Sequence, residues 1–191
     1  KIKNIKLKLL GRHNVLNATA AIIACLNLGV NQHVIKKSLK KFSGVQRRMT
    51  KIFTKNKNDF YDDYAHHPTE IKSILEGVKK AHKDKKIISV FEPHRYSRVV
   101  SLKKEFAKSF LNSNLVLLCP LYAAGEKRNF KYNIFDFAKL ITKFSKTQVI
   151  IIQTYNEIEK YFKNNLMSNE IIIGMGAGSI SRYMRELKNT L

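Results

Sequence analysis

The hydrophobic pattern of the chain changes near residue 46. Before it, apolar residues and lysines alternate over residues 1–10 with the period of two that is typical of a half-exposed strand. Two helices are predicted next, one from about Val15 to Leu28 and one from the N-cap residue Asn31 to about Phe42. A strand and two helices are too small to bury a core alone. This part is therefore predicted to be the last piece of a larger domain.

After residue 46, short apolar segments alternate with amphipathic ones. We predict strands at Met49–Thr54, Asp59–Tyr64, Lys86–Phe91, Leu115–Cys119, Gln148–Ile152 and Glu170–Gly174. We predict helices at Pro68–His82, Val99–Leu111, Ile134–Lys143, Asn156–Phe162 and Ile180–Leu187. Several of the strands are almost entirely apolar, as parallel strands are when helices cover both faces of the sheet. The sequence therefore predicts an α/β fold with a doubly wound, mostly parallel sheet over residues 47–191.

A polar cluster follows the second of these strands. Asp62, Asp63, His66, His67 and Glu70 lie within nine residues, directly before a predicted helix. Open α/β sheets bind ligands at the carboxyl ends of their strands. The cluster is therefore a candidate binding site, although a solvated surface turn would also explain it. We predict no metal site here, because adjacent histidine side chains diverge.

A second polar loop follows the strand that ends at Phe91. Arg95 and Arg98 can each offer a bidentate fork to a carboxylate or phosphate. His94 adds a donor that titrates near neutral pH. A basic surface loop is the alternative interpretation, but the position directly after a buried strand favours a binding site.

Three further features leave alternatives open. Glu126, in a loop after the next strand, would bind a cationic amine or simply be a surface charge. The glycine-rich stretch 174–179 would line an anion site or permit close strand–helix packing. Asn14 and Asn17 lie three apart at a helix start, where an amide side chain can match the edge of adenine. From the residues alone, we interpret Asn14 as an ordinary N-cap.

The charge and the cysteines limit the class of protein. The formal net charge is +22, which suits a polyanion partner, but the lysines are spread along the chain and a general preference for lysine explains them better. Cys25 and Cys119 lie in apolar settings far apart, as expected for buried thiols of a cytoplasmic protein. No membrane span or signal peptide is visible. The chain begins at Lys1 rather than Met, so we expect a fragment.

Six segments in this order resemble the Mur ligase family. They are GRHNVLNA (11–18), FSGVQRRM (42–49), DDYAHHPTE (62–70), FEPHRYSR (91–98), YAAGE (122–126) and GAGS (176–179). The resemblance covers essentially the whole chain. It is greatest to the members that add L-alanine to UDP-N-acetylmuramate in peptidoglycan precursor synthesis. The members that recycle murein peptides share the third segment but differ in the fourth.

The resemblance implies three domains, of which this chain holds the end of the second and the whole of the third. Residues 1–46 would be the C-terminal end of a central ATP-binding domain, and residues 47–191 a Rossmann-like C-terminal domain. The phosphate-binding loop and the ligands of Mg²⁺ would lie outside this chain. We therefore predict that the chain alone is inactive.

The resemblance also implies a reaction and a set of site residues. ATP would phosphorylate the muramyl carboxylate, and the amine of L-alanine would attack the acyl phosphate. Asn14, Asn17, Arg48 and Asp63 would bind ATP, with Arg47 a less favoured alternative to Arg48. The substrate carboxylates and the intermediate would be held by His66 or His67 together with His94, Arg95 and Arg98, with the choice between His66 and His67 left open. The catalytic set would be His94, Arg95 and Arg98.

Two alternatives remain beside this prediction. One is a recycling ligase of the same family, and the other is a basic module on a Rossmann-like scaffold that binds nucleic acid or another polyanion. We expect no specific nucleic-acid partner and no membrane partner, and the sequence does not predict an oligomeric state. Salt-resistant, sequence-selective binding would favour the basic module.

Overall fold

The computed structural model describes residues 3–9 and 11–191, and all of their side chains except that of His13. The chain divides into two compact units, Lys1–Val45 and Gln46–Leu191, called here the first and second units. That the first unit ends an ATP-binding domain stays a prediction. Among the described residues, no helix is both long and apolar enough to cross a bilayer.

The first unit contains two helices, α1 (Arg12–Asn27) and α2 (Gln32–Lys41). The side chain of Asn31 caps α2 by accepting a hydrogen bond from the backbone N–H of His33 at 2.8 Å. The interpretation of Asn14 as an N-cap was wrong. Helix α1 begins earlier, with Gly11 at the cap position, and the backbone N–H of Asn14 donates to the carbonyl of Gly11 at 3.1 Å.

The predicted strand over residues 1–10 is not formed in its described part, residues 3–9. The predicted alternation is present, since Ile5, Leu7 and Leu9 are partly buried while Lys6 and Lys8 are exposed. A strand also needs a neighbouring strand for its backbone hydrogen bonds. The described residues 3–9 and 11–45 offer none, which is why the pattern alone misled. Residues 1, 2 and 10 of this prediction lie outside the described residues.

We expect the first unit to be far less protected from hydrogen exchange than the second. Among its described side chains only that of Ile35 is buried. Nine large apolar side chains of this unit are exposed: Val15, Leu16, Ile23, Leu26, Leu28, Val30, Val34, Phe42 and Val45. Local opening costs little where few apolar contacts form. Amides of α1 and α2 should exchange at least about 100-fold faster than those of the central strands. Equal protection in both units would contradict this.

The second unit is a six-stranded sheet with helices on both faces. Its strands are β1 (Thr50–Lys55), β2 (Asn58–Asp63), β3 (Lys86–Phe91), β4 (Leu115–Leu118), β5 (Gln148–Ile151) and β6 (Glu170–Met175). The spatial order is β1-β2-β6-β3-β4-β5. Only β1 runs antiparallel to its neighbour, and the other pairings are parallel. The predicted doubly wound, mostly parallel α/β fold is confirmed.

Helices cover the sheet in two layers. They are α3 (Pro68–Ala81), α4 (Tyr96–Ser101), α5 (Lys103–Lys108), α6 (Ile134–Ser145), α7 (Tyr155–Asn165) and α8 (Ile180–Thr190). Helices α3 to α6 contribute to one apolar cluster, and α7 and α8 contribute to another. Successive residues of one strand belong to different clusters, for example Ile171 to the first and Ile172 to the second. Burial on both faces is the reason that these strands are apolar throughout.

One predicted helix is divided in two. The sequence predicts a single helix over Val99–Leu111, whereas the chain forms α4 and α5 with Leu102 between them at φ −113° and ψ 28°. Helix α4 also begins three residues earlier, directly after Arg95. As a result, Arg98 lies in the first turn of α4, next to the loop that carries His94.

Candidate functional site

The polar loops predicted from the sequence meet at the carboxyl ends of β2, β3, β4 and β6. The loop after β3 is joined to the loop after β4 by two backbone hydrogen bonds. The N–H of Arg95 donates to the carbonyl of Tyr122 at 2.9 Å, and the N–H of Tyr122 donates to that of Pro93 at 2.8 Å. This edge is where a parallel sheet presents its ligands.

His66, His94 and Arg98 come together here and form what we call the histidine–arginine cluster. The rings of His66 and His94 lie 5.7 Å apart, edge to face. A guanidinium nitrogen of Arg98 is 3.3 Å from Nδ1 of His94. The ring of His94 also stacks on Tyr122, with 5.6 Å between centroids. Burial, followed by the charge of Arg98, lowers the pKa of His94, which therefore favours its neutral form near pH 7.

The two imidazoles of the cluster have opposite hydrogen-bonding capacity. A guanidinium only donates, so Nδ1 of His94 accepts from Arg98 and Nε2 carries the hydrogen. In His66, Nδ1 lies 2.8 Å from the carbonyl of Tyr64, which only accepts, so that Nδ1 donates. When His66 is neutral, its Nε2 therefore has a free lone pair. The cluster thus offers one donor, Nε2–H of His94, and one acceptor, Nε2 of His66. The centroids of the two rings lie 5.7 Å apart.

His67 and Glu70 are used to begin α3. Nδ1 of His67 accepts from the N–H of Thr69 at 3.4 Å, and Glu70 accepts from the backbone N–H of His66 and of His67 at 3.0 and 3.2 Å. This is a capping box with Pro68 in the first turn. The sequence could not choose between His66 and His67 as the substrate contact, and this geometry favours His66.

Arg95 and Glu126 lie at the exposed rim. Arg95 has a positive φ of 69° and its side chain is exposed. Glu126 accepts hydrogen bonds from the N–H and hydroxyl of Ser97, and these bonds lower its pKa. Of the two open interpretations of Glu126, the geometry favours a carboxylate that fixes the loop of Arg95 over one that waits for an amine.

Asp63 is buried at the end of β2, with 1% of its surface exposed. One carboxylate oxygen accepts from the N–H of Met49 at 2.7 Å, and the other from the N–H of Ala65 at 2.7 Å. Asp63 therefore ties the segment before β1 to the end of β2. Its predicted contact with ATP is untested by this geometry and would use the remaining lone pairs.

We expect the carboxyl groups of Asp63 and Asp59 to titrate about four pH units apart, although both lie on β2. Burial raises the pKa of Asp63 to about 6, against the opposing effect of its backbone hydrogen bonds. Burial acts on Asp59 too, but hydrogen bonds from Lys51 and Lys85 outweigh it and lower the pKa to about 2. Carboxyl ¹³C shifts followed by NMR against pH measure both values. A midpoint near 4 for Asp63 would contradict the structure.

These shifts have opposite consequences for stability. Between about pH 4 and pH 6, folded Asp63 binds a proton that the unfolded chain has released. The contribution of Asp63 to the free energy of unfolding therefore falls as the pH rises through this window, by about 3 kcal/mol in total. The contribution of Asp59 is present above about pH 4 and is lost as the pH falls toward 2.

Arg47 and Arg48 have different environments. A guanidinium nitrogen of Arg47 donates to the carbonyl of Gly176 at 2.6 Å, and the group lies 4.6 Å from the ring centroid of Tyr64. Arg48 is exposed. Arg47 is thus held within the second unit, which agrees with the preference for Arg48 as the nucleotide contact.

Two buried carboxylates were not assigned a role from the sequence. Asp62 accepts from Ser181 at 2.6 Å and from Arg185 at 3.0 Å, and so attaches α8 to β2. Glu92, fully buried after β3, accepts from the hydroxyl and N–H of Ser179 at 2.8 and 3.2 Å, and from the hydroxyl of Tyr155. Ser179 and Tyr155 are far from Glu92 in the sequence, so no local pattern indicates this network.

The glycine-rich stretch packs against this network. A Cβ on Gly178 would lie 2.5 Å from Oε1 of Glu92 and 2.5 Å from the ring of Tyr122, and one on Gly174 would lie 2.4 Å from Met184. Close approach therefore explains these glycines. The alternative anion site is not needed to account for them.

The remaining predicted residues are Asn14 and Asn17, which lie on α1 of the first unit. Asn17 is exposed and Asn14 is partly buried. Their proposed contact with adenine stays a prediction. Within the described residues, no group of three or more His, Cys, Asp or Glu side chains is placed to hold a metal ion.

Comparison with known proteins gives a consistent assignment. Residues 47–178 match the family model described as Mur ligase, glutamate ligase domain. A UDP-N-acetylmuramate–L-alanine ligase from Pelagibacter ubique is 51% identical over 97% of this chain, and one from Hydrogenobaculum is 38% identical over 100% of this chain. This chain spans only 40% and 41% of those relatives.

A solved structure agrees with these relatives. The UDP-N-acetylmuramate–alanine ligase of Thermotoga maritima superposes with a TM-score of 0.77 at 29% identity. The match covers 97% of this chain and 39% of that one. The family model covers most of the chain, and its match includes both loops of the histidine–arginine cluster. The chain therefore belongs to the Mur ligase family.

Proposed function

We propose that this chain is the amino-acid-receiving part of an ATP-dependent ligase that joins L-alanine to UDP-N-acetylmuramate. The observation that carries the proposal is the 51% identity, over 97% of the chain, with a relative named for that reaction. A recycling ligase of the same family is less favoured, because the PHRYSR loop at 93–98 differs from that group.

The histidine–arginine cluster is suited to an amino-acid substrate. Nε2–H of His94 and the guanidinium groups of Arg95 and Arg98 can bind a carboxylate or an acyl phosphate. The free lone pair on Nε2 of His66 can accept a hydrogen from the substrate amine. A zwitterion would thus have its anionic and cationic ends bound by different members of one cluster.

This arrangement supports a balanced ligation step. The amine nitrogen forms a bond with the acyl carbon, the bond from that carbon to the phosphate oxygen breaks, and inorganic phosphate leaves. Before the attack, the ammonium group of L-alanine gives one proton to Nε2 of His66, which frees the lone pair of the nitrogen. The second proton, which the nitrogen loses as the amide forms, leaves with the phosphate. Arg95 and Arg98 stabilise the negative charge that develops on the acyl and phosphate oxygens.

ATP would be bound largely by parts of the protein outside this chain. The exposed guanidinium of Arg48 is suited to a phosphate, and Asn14 and Asn17 offer amide groups to adenine. Mg²⁺ is expected to accompany ATP. The described residues contain no set of side chains placed to hold a metal ion, and the family resemblance puts the ligands of Mg²⁺ outside this chain.

The test is a hybrid protein in which this chain replaces the matching segment of the Pelagibacter relative, called here the hybrid ligase. It should release phosphate from ATP only when UDP-N-acetylmuramate and L-alanine are both present. The chain alone should release none. Phosphate release by the chain alone, or a folded hybrid that is inactive while the intact relative is active, would contradict the proposal.

A further inference from the structure

A second cleft lies at the carboxyl ends of β4 and β5. It has a volume of about 420 Å³, within the usual range for small-molecule sites. Its lining includes Tyr96, Leu121, Arg128, Tyr132, Phe135 and Ile152. No carboxylate contributes to the lining, and Arg128 is its one charged side chain. The cleft therefore combines apolar surface with a single positive charge.

The hydroxyl group of Tyr132 is unsatisfied. The oxygen is buried and has no hydrogen-bond partner among the described residues. Its ring is held by edge-to-face contact with Tyr96, at 5.7 Å between centroids, and by contact with Phe137 at 6.2 Å. Burial raises the pKa of Tyr132, so the hydroxyl keeps its hydrogen at neutral pH. Burying a hydroxyl without a partner costs free energy, which a ligand atom that accepts its hydrogen would recover.

Two exposed aromatic rings lie in or near the cleft. Phe135 lines the cleft and is 55% exposed, and Phe130 is 90% exposed. The guanidinium of Arg128 lies 5.8 Å from the ring centroid of Phe130. Exposed aromatic side chains that surround a cleft are a common feature of ligand sites, because they provide flat apolar contact area. The ring of Phe130 therefore lies next to the one cation of the cleft.

We propose that this cleft binds a small planar aromatic molecule that carries an anionic group, either a carboxylate or a phosphate. The fork of Arg128 binds the anion, and Phe135 and Phe130 pack against the ring. The hydroxyl oxygen of Tyr132 is covered in this structure, so the ring of Tyr132 must turn on binding for its hydroxyl to donate to an acceptor on the ligand. The proposal does not depend on the ligase assignment. It rests on the cleft, the unsatisfied hydroxyl and the exposed rings.

The test uses the full chain and indole-3-acetate as the probe, followed by ¹⁵N NMR titration. A probe of this size, with about 13 non-hydrogen atoms, should bind with a Kd of about 1 mM. Its shifts should map to residues that line the cleft. Acetate, which has no ring, and tryptamine, which has a ring but a positive charge, should bind at least tenfold more weakly. A second titration with uridine monophosphate compares a phosphate with the carboxylate of indole-3-acetate. The anion with the lower Kd identifies which of the two groups the cleft prefers.

Matched variants separate this site from general attraction to a basic protein. Arg128→Gln should weaken indole-3-acetate binding about tenfold and Tyr132→Phe about fivefold, as expected for a charged and a neutral hydrogen bond. Lys127→Gln, which removes a neighbouring charge, and Tyr161→Phe, in the other apolar cluster, should not change it.

Two results would overturn the proposal. One is binding that Lys127→Gln weakens as much as Arg128→Gln, since that would be nonspecific charge attraction. The other is the absence of shifts in the cleft at 10 mM probe, roughly ten times the expected Kd. Tyr132→Phe should leave the melting temperature unchanged or higher, because it removes an unsatisfied group. A loss of binding by Tyr132→Phe could then not be explained by unfolding of the variant.

Discussion

Replacing Glu92 with alanine is expected to lower the free energy of unfolding by about 3 kcal/mol, a large effect for one side chain. Glu92 is fully buried, and its Oε2 atom accepts all of its side-chain hydrogen bonds, from Ser179 and Tyr155. Without it, a backbone N–H and two hydroxyl groups lose an acceptor. The anchor between β3 and the start of α8 would be lost with them.

Glu92→Gln is expected to be milder, lowering the free energy of unfolding by about 1 kcal/mol. The glutamine carbonyl can accept the hydrogen bonds that Oε2 accepts now. The amide nitrogen would replace Oε1, which is buried and has no partner among the described residues, so the cost of its unpaired hydrogens opposes the gain from removing the charge. No ion pair to Glu92 is formed within the described part of the chain, so the substitution removes a buried charge that has no counterion.

Urea unfolding of the full chain tests both variants. Glu76→Ala is the matched control, because the side chain of Glu76 is 43% exposed and forms a surface pair with Lys72 at 3.9 Å. It should change stability by less than about 0.5 kcal/mol. If Glu92→Ala unfolded at the same urea concentration as Glu76→Ala, the buried network would not have the role assigned to it. If Glu92→Gln were as unstable as Glu92→Ala, the charge of Glu92 would be essential.

In the hybrid ligase, Arg98→Ala is expected to lower kcat/KM about 100-fold. Loss of one group that stabilises developing negative charge typically costs two orders of magnitude or more. Arg98 also donates to Nδ1 of His94, so its loss frees the imidazole to adopt the other tautomer. The substrate would then lose a guanidinium and a correctly oriented ring together.

Initial rates over a range of L-alanine concentrations measure this effect. Arg182→Ala is the control, since Arg182 is an exposed arginine on α8 that pairs with Glu186 at 3.6 Å. It should retain at least half of the activity. Equal activity of the Arg98 and Arg182 variants would exclude the histidine–arginine cluster as the site of reaction.

The central part of the fold was predictable from the sequence because its signals are local. The apolar runs in β3 and β6 indicate strands with two covered faces, and Lys86–Phe91 was predicted with the observed bounds. The break at Leu102 has no such signal. Residues 99–111 have a helical apolar pattern on both sides of the break. The strand predicted over residues 1–10 failed because a strand also depends on a partner that the pattern does not describe.

The candidate site was predictable in composition but not in its arrangement. The loops of His66 and His94 were found because both follow buried strands. Which of the two adjacent histidines faces the cluster depends on the capping of α3, where Glu70 and the ring of His67 bind backbone N–H groups. Glu92 was visible as a polar residue, but its partners Tyr155 and Ser179 are brought to it only by the tertiary fold.

The most direct test of the central claim is the product of the hybrid ligase, identified by mass spectrometry. The reaction would contain ATP, UDP-N-acetylmuramate, L-alanine and, in competition, a murein tripeptide. We expect UDP-N-acetylmuramoyl-L-alanine as the main product, with one phosphate released per amide formed, and loss of that product in the Arg98→Ala variant. Transfer of the tripeptide in preference to L-alanine by a hybrid built on this chain would contradict it.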